Sequence, residues 1–242
     1  METTYNIDIL YQKWIRLGWM ATGNPWPEEV DPELLIVQTT HAARTDSRLF
    51  KWLLTWFKDN NDLINTKRLL RIITDADTAI LGAVIEIAIK ETGNHNLKTI
   101  LNKCTTNKSP ELLFTGMEDI ETFVTQEKEK THEVYRKWGL YCSMYEFYDD
   151  ANRSREWLLE HNKNLALRAL YSPNIRAEIM FYLLNHDNCA IKNIAQHIGY
   201  TYSSVYNEIA TLIKNGFITK SSDSWHSLQI TSRSLQMFKV VC

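Results

Sequence analysis

The chain has 242 residues, of which 44% are hydrophobic and 23% charged. That balance matches soluble globular domains and excludes a wholly disordered chain. A net charge of −2 excludes a uniformly basic, histone-like binder, but says nothing of a local basic face. Only 8 glycines and 5 prolines occur, which favours helices over a turn-rich β-sandwich.

Asn24-Pro25-Trp26-Pro27 is extended or turned, because each proline biases its predecessor away from helix. Asp31-Pro32-Glu33 then reads as a helix start: a capping acid, a proline at the first position and an acid in the first turn. A second helix is predicted over 47–59, where Leu49, Trp52, Leu53, Trp56 and Phe57 form an amphipathic stripe. Asn60-Asn61-Asp62 breaks it. A further helix covers 66–73. Thr74 or Asp75 caps the next, which runs to Glu91 and ends at Gly93.

Residues 102–118 have little periodicity and read as a loop. Residues 118–137 read as a solvated helix, and the aromatic-rich 138–148 as holding a short strand. A helix follows over 155–170, and Ser172-Pro173 is the sharpest boundary. The expected organisation is a helical domain over 1–101, a connecting region over 102–172 and a third segment over 173–242.

That last segment has the most specific pattern. Helix one is predicted over 174–185, with His186-Asp187-Asn188 as a break. Helix two holds Ile191, Ile194, Ala195 and Ile198 and ends at Gly199. Thr201 or Ser203 caps helix three, in which Val205, Ile209, Leu212 and Ile213 share one face. Asn215-Gly216 ends it. Phe217 to Lys220 reads as a strand, Ser221 to Ser224 as a turn, and Trp225 to Ile230 as the returning strand.

Three helices and a hairpin in this order resemble the winged helix-turn-helix of bacterial and archaeal transcriptional regulators, the broad MarR and ArsR kind. The residues that carry the resemblance are Ile194-Ala195-Gln196-His197-Ile198-Gly199, then Val205, Ile209, Leu212, Ile213 and Gly216-Phe217-Ile218. The resemblance covers about 70 residues. The stretch from Trp138-Gly139-Leu140 through His161-Asn162 to Ala166-Leu167-Arg168-Ala169-Leu170 also resembles regulators that bear the same C-terminal module. The fold class expected is therefore mainly α, with an N-terminal helical domain and a C-terminal winged helix with a small β-hairpin wing. The resemblance implies a regulator of transcription that binds double-stranded DNA, commonly as a homodimer on two half-sites. The N-terminal region is then left for dimerisation, a protein partner or an effector.

A helix in the major groove presents its outer residues to base edges. Opposite Val205 and Ile209 stand Ser203, Asn207, Ala210 and Lys214, flanked by Tyr206 and Thr211. Asn207 suits bidentate pairing with adenine. The hydroxyls of Thr201, Tyr202, Ser203, Ser204, Tyr206 and Thr211 suit phosphates or bases, and Lys214 suits a phosphate. Lys192 and Asn193 open helix two, where helix amides also hold phosphate. Lys220 and His226 flank the expected wing. The charge distribution agrees: residues 1–150 carry 17 basic and 23 acidic residues, and 151–242 carry 10 and 6. Yet helix three has no arginine, the residue behind the commonest specific base contact. An adaptor or antitoxin-like protein that uses the same module for protein–protein contact is the rival reading.

Other constellations favour plain structural roles. Asp75-Ala76-Asp77 precedes a helix without the Gly-Ser turn of a nucleotidyltransferase pair, so capping acids are expected. His132-Glu133 is followed by Arg136, not by a histidine at metalloprotease spacing. No P-loop, dinucleotide fingerprint or nucleophile elbow occurs, so no enzyme, metal or cofactor is expected. His41 and His161 are read as buried hydrogen-bonding groups. Trp52 and Trp56 are read as core rather than the lining of an effector pocket, and Trp14, Trp19 and Trp26 as cover for that core or a partner surface. Leu63 to Leu69 is a candidate start of a second helix-turn-helix, without a glycine turn.

The four cysteines lie 38, 47 and 53 positions apart, with no C-x-x-C pair, so reduced intracellular thiols are expected. No basic-then-apolar leader opens the sequence, and the longest aliphatic run, Ala79 to Ile89, contains Glu86 and is too short to span a bilayer. A cytoplasmic protein with no membrane partner is expected.

Overall fold

The computed structural model describes residues 5–144, 146–186, 189–220 and 227–241. The chain is mainly helical and divides into two compact units, Met1–Ser154 and Arg155–Cys242. No helix among the described residues is long and apolar enough to cross a membrane.

The first unit opens on α1 (Ile7–Arg16), which Asn6 caps through the amides of Asp8 and Ile9. The periodicity of Leu10, Trp14 and Leu17 could have revealed this helix; all three are buried. Next is α2 (Pro32–Ala42), with the Asp31 cap and leading proline that its sequence predicts. Asp46 caps α3 (Ser47–Asn60), and Asn65 caps α4 (Thr66–Ile72). Trp56 and Trp52 of α3 are core residues. Buried indoles need acceptors for their N–H. Trp56 donates to the Leu17 carbonyl at 2.9 Å, and Trp14 donates to Thr39 Oγ1 at 3.0 Å.

The cap of α5 (Thr78–Thr92) is Asp77, not Thr74 or Asp75. Residues Ile73–Asp75 wind into a 3-10 turn, which delays the start of the helix. Asp77 also accepts from Arg44 Nε at 2.7 Å, so one carboxylate both caps and pairs. Gly93 ends α5 at φ +71°, as its position predicts. Beyond the short α6 (Lys98–Leu101), the segment read as a loop contributes β1 (Glu111–Leu112).

The single solvated helix expected over 118–137 is two: α7 (Glu121–Lys130) and α8 (Glu133–Lys137). His132 starts the second, its Nδ1 accepting from the Val134 amide at 3.3 Å. The short strand expected next is β2 (Leu140–Tyr141), parallel to β1 with Glu111 opposite Leu140. Between α8 and β2, the Trp138 ring lies against Gly82 of α5, where a Cβ would come within 2.4 Å of it. Its Nε1 donates to Glu86 Oε2 at 2.8 Å.

The second unit begins with α9 (Arg155–His161) and α10 (Lys163–Tyr171), then α11 (Ile175–Asn185), α12 (Ile191–Ile198) and α13 (Tyr202–Lys214). Strands β3 (Ile218–Lys220) and β4 (Leu228–Ile230) pair antiparallel, with Thr219 opposite Gln229, and α14 (Ser232–Val241) follows. The sequence pattern did not reveal α14. Asp187, Asn188 and the expected hairpin turn with Trp225 and His226 lie outside the described residues.

Ser172-Pro173 is a turn inside the second unit rather than a boundary. Across it, Arg168 of α10 donates from Nε and Nη2 to Glu178 Oε1 of α11 at 3.1 and 2.7 Å, and both residues are buried. Ser172 turns the chain at φ +66°. Residues 102–144, expected as part of a connection, belong to the first unit through β1, β2 and Trp138.

His41 and His161 are exposed, not buried, although each makes a hydrogen bond: His41 Nε2 with the Asp75 carbonyl at 2.7 Å and His161 Nδ1 with the Trp157 carbonyl at 2.8 Å. Cys104, Cys142 and Cys189 are free, and burial pushes the thiols of Cys104 and Cys142 up to about 12.

Candidate nucleic-acid interface

The second unit is built around an aliphatic core. Ile179, Met180 and Leu183 of α11, Ile191, Ile194 and Ile198 of α12, and Val205, Ile209 and Leu212 of α13 share it with Ile218 and Leu228 of the hairpin. Gly199 closes α12 at φ +67°, so Tyr200 can return its amide to the Ala195 carbonyl at 3.1 Å. Thr201 then caps α13, accepting from the Ser204 amide at 3.2 Å. Gly216 at φ +75° turns the chain out of α13 into β3; a Cβ there would meet no atom within 4 Å, so the backbone angle is what calls for glycine.

Burying Val205, Ile209 and Leu212 fixes the roll of α13. Its predicted outer residues follow: Thr201, Tyr202, Ser203, Ser204, Tyr206, Asn207, Thr211 and Lys214 are all exposed, while Ala210 is half-buried. Lys192 and Asn193 are exposed in the first turn of α12, and Lys220 is exposed at the end of β3. Lys192 and Lys214 make no ion pair among the described residues.

These residues do not all have equal freedom. The hydroxyls of Thr201 and Ser204 lie 2.8 Å apart within the cap, and Thr211 Oγ1 donates back to the Asn207 carbonyl at 3.0 Å. Their first role is to shape α13. Ser203, Asn207 and Lys214 form the outermost row, and the rings of Tyr202 and Tyr206 stack beside it with centroids 6.3 Å apart and planes 21° from parallel.

Sequence reasoning missed the fate of the one acid on α13. Glu208 Oε1 accepts from Arg176 Nε of α11 at 2.6 Å. The pair neutralises the carboxylate and ties α13 to α11. Helical phase could have flagged it, since Glu208 lies nearer the buried stripe than the outer row. The exposed surface of α13 therefore carries amide, hydroxyl, aromatic and ammonium groups.

The first unit gathers its charges differently. Arg44 meets Asp77 at 2.7 Å and Glu111 at 2.8 Å; Arg68 pairs with Asp31; Lys137 meets Glu86 at 2.7 Å. Leu63 ends a 3-10 turn (Asn61–Leu63) and Thr66 to Leu69 open α4, with Leu63, Ile64 and Leu69 buried. Among the described residues, no group of three or more His, Cys, Asp and Glu side chains is placed to hold a metal ion. No protein-family model, curated protein or solved structure matches the chain.

Proposed function

We propose that this protein is a DNA-binding transcriptional regulator whose second unit is a winged helix. In this reading α12 and α13 form the helix-turn-helix, α13 enters the major groove, and the β3–β4 hairpin is the wing. The observation that carries the proposal is the two-sided character of α13. Its aliphatic stripe is buried, its single acid is held by Arg176, and its outer row offers Ser203, Asn207 and Lys214 to solvent.

The chemistry suits the groove. An asparagine amide can pair with both N6 and N7 of adenine. Lys192, Lys214 and Lys220 offer ammonium groups to phosphates, which set affinity and register without reading sequence. The second unit has 9 basic and 6 acidic residues, so its electrostatics favour a polyanion, unlike those of the whole chain. A homodimer on two half-sites is the working assembly, and the first unit is the candidate region for dimerisation or partner binding. The thiols of Cys104, Cys142 and Cys189, none of them in a disulfide, suit a reducing cytoplasm. The protein works by binding rather than catalysis, with no cofactor.

The test is direct titration of the full chain with duplex DNA over a range of salt. Affinity should fall on a log–log plot with a slope of about −0.9 per phosphate contacted. Failure to bind any duplex at low salt would overturn the reading.

A further inference from the structure

The side chains on α13 set what kind of sequence it can read. Guanine is most often recognised by arginine or lysine, which reach O6 and N7 together. In α13 the only cation is Lys214, in its last turn. The first two turns, which reach base edges in a helix-turn-helix, hold Tyr202, Ser203, Ser204, Tyr206 and Asn207. Ser204 is engaged in the cap with Thr201. That leaves one bidentate amide and two aromatic rings as the distinctive groups.

The rings are notably open for their size. Tyr202 is 54% exposed and Tyr206 37%, although the unit buries Val205, Ile209 and Leu212 of the same helix completely or nearly so. They stack on each other, so they form one apolar surface beside Asn207 rather than two independent side chains. Stacking also holds the rings in place, which lowers the entropy lost when a ligand covers them. In the major groove, the apolar feature that separates one base from the others is the 5-methyl group of thymine.

We infer that α13 reads an A·T-rich half-site, with Asn207 on adenine and the Tyr202–Tyr206 surface against thymine methyl groups. This inference rests on the DNA-binding reading above. Recognition by the rings depends on methyl contact, so it needs the aromatic faces and not the hydroxyls.

The experiment uses the full chain. Duplexes it retains from a random pool are sequenced, and the best is remade with deoxyuridine in place of thymidine, which removes only the methyl. The expected outcome is an A·T core and a loss of about fourfold for each contacted methyl. Tyr202→Ala with Tyr206→Ala should abolish the difference between thymine and uracil, whereas Tyr206→Phe should keep it. Both tyrosines are exposed, and an unchanged circular-dichroism melt verifies that the variants fold. A G·C core, or equal binding of thymine and uracil duplexes by the wild-type chain, overturns the inference and leaves DNA binding standing. Loss of discrimination in Tyr206→Phe overturns the role of the ring faces. No binding to any duplex overturns both readings.

Discussion

The core of the first unit and the outer face of α13 in the second use their large polar and aromatic side chains in opposite ways. In the first, indoles and guanidinium groups are turned inward as braces: Trp14 to Thr39, Trp56 to the Leu17 carbonyl, Trp138 to Glu86, and Arg44 to Asp77, Glu111 and the Leu112 carbonyl. In the second unit, a largely aliphatic core and the Arg176–Glu208 pair hold α11, α12 and α13, and α13 keeps its tyrosines, Asn207 and Lys214 on the outside. The Ile, Leu and Val side chains that dominate this core carry no N–H or O–H that needs a partner, so the polar residues of α13 remain available for a ligand. The contrast separates residues that maintain the fold from residues that can recognise something.

The largest expected effect tests the braces. Trp56→Ala should lower stability by about 3–5 kcal/mol in denaturant unfolding, since it removes both a buried ring and the donor to Leu17. A change below about 1 kcal/mol would place Trp56 outside the load on the core. The second unit has buried polar braces too, and the Arg168–Glu178 pair marks where the contrast stops. Arg168→Ala should also cost about 3–5 kcal/mol, because it removes the buried guanidinium that donates twice to the buried Glu178 carboxylate. Replacing both partners with apolar residues, Arg168→Met and Glu178→Leu, should recover most of that loss; if it does not, the pair does more than cancel its own burial.

Effects on α13 and α12 should appear in binding and not in folding. Asn207→Ala should weaken the best duplex by about 1–3 kcal/mol and leave random duplexes unchanged. Lys192→Ala should weaken both alike and reduce the salt slope by about one. If the two substitutions act identically, base reading and phosphate contact have been assigned to the wrong residues. The smallest expected change is Thr201→Ala, about 1 kcal/mol of stability from the lost cap, with Thr201→Ser restoring it. A loss of DNA affinity at full folding would instead give Thr201 a direct contact.

Local chemistry made much of the chain readable. Asp31-Pro32, Gly93, Gly199 and Thr201 stand where the pattern of caps and turns predicts, because each acts on backbone groups only a few residues away. The outer face of α13 was equally legible, since helical phase relative to Val205, Ile209 and Leu212 determines it. Other features were hidden because they depend on partners distant in sequence. The 3-10 turn that moves the α5 cap to Asp77 accompanies the contact with Arg44, 33 positions earlier. The short strand β1 is stable only beside β2, and the exposure of His41 and His161 depends on what does not pack over them.

By itself, then, the sequence determined the helical character, most helix starts and stops, and the residues that α13 presents, because capping, glycine conformation and amphipathic period are short-range effects. Only the tertiary structure decided where the units divide, that Ser172-Pro173 lies within one of them, and that Glu208 is paired off by Arg176. Those outcomes depend on contacts across the fold. A proline marks a turn in the chain, but the buried Arg168–Glu178 pair is what holds the helices on either side of it together.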